Sequence, residues 1–100
     1  AAQWYRKAAD QGHAAAQFYL GGMYYDGHGV SRDEKKALQW ERKAAEQGDS
    51  RAQYNLGCLY HKGKGAAQDF EQAKQWLRKA ASQGDADALS ILAQYRACGI

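Results

Sequence analysis

The chain has 100 residues and a net charge of +3 from 14 basic and 11 acidic side chains, a length that suits one small domain and excludes a large multidomain enzyme. Apolar residues make up 45% and charged ones 25%, enough for a packed core and too apolar for wholesale disorder. The charge is too mild and mixed for a nucleic-acid-binding face, and no run approaches the roughly 18 apolar residues of a membrane span.

Internal repetition dominates the chain. Trp4, Trp40 and Trp76 are spaced by 36 residues. Around them stand Gln3-Trp4-Tyr5-Arg6-Lys7-Ala8-Ala9, Gln39-Trp40-Glu41-Arg42-Lys43-Ala44-Ala45 and Gln75-Trp76-Leu77-Arg78-Lys79-Ala80-Ala81, each followed by a Gln-Gly pair. Residues 1–12 therefore read as the second helix of a truncated unit, 13–48 and 49–84 as two complete units, and 85–100 as the first helix of a last unit or a C-terminal cap. Ala1 falls inside a helical pattern, so the chain is expected to be the C-terminal portion of a longer array.

Within a unit, the first helix carries Ala52, Leu56, Leu59 and Tyr60 on one face at i, i+4, i+7 and i+8. Asp49 and Asp85 stand at the N-cap, where a carboxylate accepts the free N–H groups of the first turn. Gly21 and Gly57 recur mid-helix, where glycine costs about 1 kcal/mol against alanine, and so predict a crossing too close for a β-carbon. Gly27-His28-Gly29 and Gly63-Lys64-Gly65 end these helices in a tight reversal. The second helix is expected to start near Ser31, in a capping box with Glu34. It carries Ala37, Trp40, Ala44 and Ala45, then Ala73, Trp76, Ala80 and Ala81, on its buried stripe. Gly48 and Gly84 stop it. The tryptophans are expected to be core. No segment alternates as a strand does, so the fold class is all-α, an αα-hairpin solenoid.

The pattern Ala52-x-x-x-Leu56-Gly57-x-x-Tyr60-x-x-Gly63-x-Gly65, then Asp69-x-x-x-Ala73-x-x-Trp76-x-x-Lys79-Ala80-Ala81-x-x-Gly84, resembles the Sel-like repeat, a longer relative of the tetratricopeptide repeat. Leu20, Gly21, Tyr24, Gly27, Gly29, Val30, Asp33, Ala37 and Trp40 match it in the preceding unit. A tetratricopeptide array, with its period of about 34 residues, fits the spacing and the Gly-x-Gly turn less well. The last unit departs from the pattern: Ala93 replaces the glycine and Arg96 stands where Tyr24 and Tyr60 stand. Terminal repeats are commonly atypical.

The resemblance implies a right-handed superhelical stack and an adaptor that docks a protein or peptide on the concave side, lined by each first helix. It also implies a bacterial protein, periplasmic or secreted, with a cytoplasmic setting left open. The residues expected to bind a partner are Phe18, Tyr25, Arg51, Tyr54, His61 and Lys62, because aromatic side chains and arginine dominate interface energetics. Phe18 and Tyr54 suit equally well a second role, filling space between neighbouring first helices. Two copies pairing through exposed repeat ends is a further expectation, and a plain spacer within a longer array is a third reading. The Arg-Lys pairs near each second-helix terminus favour the negative end of the helix dipole. A basic convex stripe for anionic lipid or nucleic acid is the weaker alternative, since Asp10 and Glu46 dilute it.

Catalysis finds little in the sequence. His13, His28 and His61 are scattered, none at metal-ligand spacing, and no cofactor motif is present. The serines Ser31, Ser50, Ser82 and Ser90 form no Ser-x-x-Lys. Cys58 and Cys98 are too few for a disulfide framework and read as free thiols; a bond between them needs Cα atoms within about 7 Å. Some cysteine-rich relatives are associated with β-lactam binding or hydrolysis, but they carry a regular pair of cysteines per repeat. That pattern is missing here, so the resemblance does not extend the activity to this chain.

Overall fold

Left-handed glycines set the reversals between helices. Gly27 and Gly63, at φ 74° and 72°, donate their N–H groups to the carbonyls of Met23 and Leu59 and turn the chain back on itself. The computed structural model describes residues 2–99, which form six helices: α1 (Ala2–Asp10), α2 (Ala14–Asp26), α3 (Glu34–Glu46), α4 (Ser50–Lys62), α5 (Phe70–Ser82) and α6 (Ala86–Cys98). Each packs on its neighbours in sequence, giving a strip of 43 × 24 × 16 Å. The described residues form an all-α helical repeat solenoid, with no strand among them.

Aspartate, not serine, caps α3 to α6, whereas the N-cap of α2 is His13, whose side chain makes no cap hydrogen bond. Asp49 accepts from the N–H groups of Arg51 and Ala52, and Asp85 from that of Ala88. The capping box expected at Ser31 and Glu34 is corrected: α3 begins two residues later, with Asp33 as N-cap accepting from the Lys36 N–H at 3.1 Å. Asp69 does the same for Gln72 in α5. The reason lies in the repeat, since Ser31 corresponds to Ala67 whereas Asp33 recurs as Asp69. Glu34 instead pairs with Arg32 at 2.9 Å and Lys64 at 3.8 Å.

Leu20, Leu56 and Leu77 are wholly buried. They belong to two apolar clusters, one around Leu20 with Ala9, Ala16, Tyr24 and Ala37, the other around Leu56 and Leu77 with Leu38, Ala44, Ala52, Leu59, Tyr60, Trp76 and Tyr95. The close crossings expected at Gly21 and Gly57 are present. A β-carbon on Gly57 would lie 2.7 Å from Leu77 Cγ and 3.2 Å from the Ala73 carbonyl oxygen.

Gly22 provides the contrast, because a β-carbon there meets nothing within 4 Å. Gly22→Ala should therefore stabilise by about 0.5–1 kcal/mol through helix propensity alone. Gly57→Ala should destabilise by about 1 kcal/mol, overpacking against a backbone carbonyl and an immobile leucine outweighing the same propensity gain. Urea melts of the two variants check the opposite signs.

Two ladders of polar contacts repeat with the units. Gln17 donates to the Ala9 carbonyl and accepts from Gln47, and Gln53 likewise joins the Ala45 carbonyl to Gln83. Buried amides paired in this way add register without leaving unsatisfied groups. Arg6 donates to the Tyr24 hydroxyl at 3.2 Å and Arg42 to that of Tyr60 at 3.0 Å, while Lys43 and Lys79 lie 4.5 Å over the rings of Trp40 and Trp76. These cations of the Arg-Lys pairs are thus engaged within the molecule. The expectation that all three tryptophans are core needs correction. Trp76 is buried and Trp40 half-buried, but Trp4 is 72% exposed, because among the described helices α1 packs chiefly on α2, whereas α3 and α5 are each flanked on both sides.

Candidate partner-binding groove

Side by side, α2 and α4 leave a groove of about 310 Å³ between them, floored by α3. Tyr25 and Asp26 line it from α2, Glu41 from α3, and Tyr54, Asn55, Cys58 and Lys62 from α4. Gly22 helps open it by presenting no side chain to the same space. Of the residues expected from sequence, Tyr25, Tyr54 and Lys62 therefore come together here.

Phe18 and Arg51 meet next to it. The Arg51 guanidinium lies 4.4 Å from the Phe18 ring centroid and 5.5 Å from that of Tyr19, and donates to the Tyr19 hydroxyl. Asp49 holds it from behind with Nη2–Oδ2 at 2.9 Å and Nε–Oδ1 at 3.3 Å. Burial works to raise the Asp49 pKa, but hydrogen bonds from Arg51 and from the Ala52 N–H, with the Arg51 charge, outweigh it and hold the carboxyl below its ordinary range. Arg51 is consequently fixed in one pose while remaining exposed. Phe18 and Tyr54 also pack against the core, the space-filling role considered for them.

His61 stands apart from this group. Its ring stacks on Tyr95 at 5.4 Å, meets Phe70 edge-on at 5.5 Å and shares a hydrogen bond with the Tyr95 hydroxyl. It fastens α4 to α5 and α6. Tyr95, buried, thereby supplies an aromatic contact in a unit where Arg96 takes the place of Tyr24 and Tyr60.

Glu41, Asn55 and Tyr19 were not anticipated from sequence. Glu41 is only 3% exposed. Its Oε2 accepts from Asn55 Nδ2 at 2.9 Å, and its Oε1 has no partner. Burial pushes its pKa up to about 8, against the lowering effect of the Asn55 hydrogen bond, with Asp49 raising and Arg51 lowering it further. One signal was available: aligning the units places Tyr5, Glu41 and Leu77 in register, so a carboxylate occupies a position where the next unit buries leucine.

Other reactive groups are muted. The Cys58 thiol is raised by burial, and the Tyr54 hydroxyl is pushed up to about 12 by its contact with Cys58 and by burial. Both stay protonated at neutral pH. Cys58 and Cys98 are free thiols. Among the described residues, no three His, Cys, Asp or Glu side chains are gathered to hold a metal, and no helix is long and apolar enough to cross a membrane.

Stacked αα-hairpins with a 36-residue period, joined by Gly-x-Gly reversals, define a helical repeat protein. The Sel1 repeat model matches residues 1–13, 14–49 and 50–85. The chain belongs to the Sel1 repeat family, whose members commonly serve as protein-interaction scaffolds. Among solved structures, it is similar to c5321, a protective antigen of uropathogenic Escherichia coli displaying an SLR fold, with 38% identity and a TM-score of 0.98 over 99% of this chain. A Sel1 repeat protein from Oxalobacter formigenes shares 42% identity at a TM-score of 0.90 over 94% of the chain. Cysteine rich protein B of Helicobacter pylori shares 31% at 0.85 over 90%. The chain spans 21%, 39% and 68% of these three proteins' lengths, in that order. A comparison with curated proteins finds no match.

Proposed function

We propose that this chain is a non-catalytic interaction module that docks a partner protein or peptide along the face made by α2 and α4. The observation that carries this reading is the pre-positioned Arg51, exposed yet held by Asp49, Tyr19 and Phe18 beside the groove of Tyr25, Tyr54 and Lys62. Arginine and tyrosine are the side chains that most often dominate binding energy, and a side chain already ordered loses less freedom on docking. A non-catalytic role is supported by the raised Cys58 thiol, since the thiolate is the nucleophile, and by His61, whose ring is engaged with Tyr95 and Phe70. Units 13–48 and 49–84 are the repeating modules of this face, with 1–12 and 85–100 as flanking half-units. Exposed Trp4 and Leu89 leave apolar surface toward the two ends, where two copies can pair.

The test is capture from the source organism's extract by the wild-type chain, followed by titration of the purified partner against an Arg51→Ala, Tyr54→Ala variant. His61 is left intact because it packs the core. Affinity should fall by at least about tenfold with helicity unchanged. Equal affinity, or no partner for the wild type, overturns the reading and favours a spacer.

A further inference from the structure

We propose that the groove between α2 and α4 is a recognition pocket for a basic side chain of the partner, a lysine or arginine whose cation is received by the Glu41 carboxylate. This rests on the interaction-module reading above and names what one part of that face selects.

Three observations converge on a cation. Glu41 lines the groove with Oε1 buried and unpartnered while Asn55 fixes Oε2, so one desolvated acceptor at the groove wall lacks a donor, and a small turn of the carboxyl presents it to one. A buried carboxylate without a partner is costly, and the fold does not need it, because Leu77 occupies the equivalent position with complete burial. Finally, Tyr54 and Tyr25 line the same space, and aromatic rings attract cations, as Tyr25 already does the Arg32 guanidinium 5.7 Å from its centroid. The volume of about 310 Å³ lies at the bottom of the range for ligand sites, about 300–1,000 Å³, which suits one long side chain.

Charges around the pocket do not reverse this preference. Asp26 and Lys62, the last residues of α2 and α4, are exposed and offset each other at the lining. Asp49 and Arg51, themselves paired, bear on Glu41 in opposite senses. Cys58, raised by burial, stays neutral. The free acid carries its proton at neutral pH, so an arriving ammonium or guanidinium drives ionisation: the Glu41 proton leaves to solvent as the carboxylate pairs with the cation.

The probes are Nα-acetyl-lysine methylamide and its uncharged isostere, Nα-acetyl-norleucine methylamide, titrated at pH 7 and followed by NMR and calorimetry. The lysine probe should shift Tyr25, Tyr54, Asn55 and the Glu41 side-chain carboxyl saturably and bind at least about tenfold tighter than norleucine. Its binding should release a proton, read from the dependence of the heat on buffer ionisation. Glu41→Leu and Glu41→Gln, each checked for native helicity, should lose both effects. Equal binding of the two probes, absence of saturable binding, or lysine binding that survives Glu41→Leu overturns the pocket. If Glu41→Leu leaves partner affinity untouched while Arg51→Ala lowers it, the pocket fails and the interaction module stands. If neither change affects a partner, the module reading fails.

Discussion

Glu41→Leu is expected to raise stability at pH 8 by several kcal/mol and to flatten its dependence on pH. The carboxyl pKa rises from 4.5 to about 8 on folding, so between these values the folded state holds a proton that the unfolded state has released. Stability contributed by the folded-state proton is therefore complete below about pH 4 and lost as pH climbs through 8, by about 3–5 kcal/mol in all. Asp49, held low, works the other way and loses its contribution as pH falls through its range below about 4, so on these two groups the wild-type maximum should lie at about pH 4. Leucine removes the first of these slopes. Asn55, half-buried, finds water for the amide it leaves. Urea melts of both proteins at pH 5 and pH 8 check this: parallel pH dependences in wild type and variant would show that Glu41 does not titrate as its burial requires.

The same substitution bears on how the core is divided. On α3, Ala37 belongs to the Leu20 cluster, while Leu38, Ala44 and Ala45 belong to the Leu56 cluster, and Tyr25 packs against both. On the face carrying Ala37, Ala44 and Ala45, Glu41 sits between the two clusters as a polar seam. A leucine there joins the two clusters, so the variant should also unfold more cooperatively. A costly group at such a point, opposite a glycine whose β-carbon would come within 2.8 Å of Glu41 Cγ, supports the proposed pocket, since function is often kept at the expense of stability.

What could be read in the sequence was whatever recurs. Trp40 and Trp76, Leu20 and Leu56, Gly21 and Gly57, and the Asp49 and Asp85 caps repeat because every unit solves the same packing problem, and periodicity exposes them without an alignment. Ser31 misled because serine before a glutamate three residues on suits a capping box locally, whereas the recurrent Asp33 and Asp69 supply the better acceptor. The candidate site was less legible because it is made of departures from the repeat. Phe18, Tyr54 and Ser90 share one position, as do Tyr19, Asn55 and Ile91, so no period marks them. His61 is an aromatic on the same register as Tyr25, yet Tyr95, one residue away from where the repeat puts its tyrosine, captures it. Glu41 was hidden by its surroundings, since Arg42 and Lys43 make it look like one more charge on a solvated face.

Leu56→Ala should cost about 3–5 kcal/mol, the penalty for a large cavity at a site that cannot collapse. Leu56 is fully buried in the larger cluster, which draws residues from α3 to α6. Against the roughly 5–15 kcal/mol of a typical domain, that loss is enough to leave a measurable unfolded population. Where it is felt tests the solenoid itself. Each helix packs chiefly on its sequence neighbours, and stability in such arrays is a sum of local and nearest-neighbour terms. Leu56→Ala should strip hydrogen-exchange protection first from α4 and α5, whereas Leu20→Ala, in the other cluster, should strip it from α2 and α3 while α5 stays protected. Should both variants lose protection uniformly along the chain, the strip folds as one unit, and the polar seam at Glu41 does not divide it.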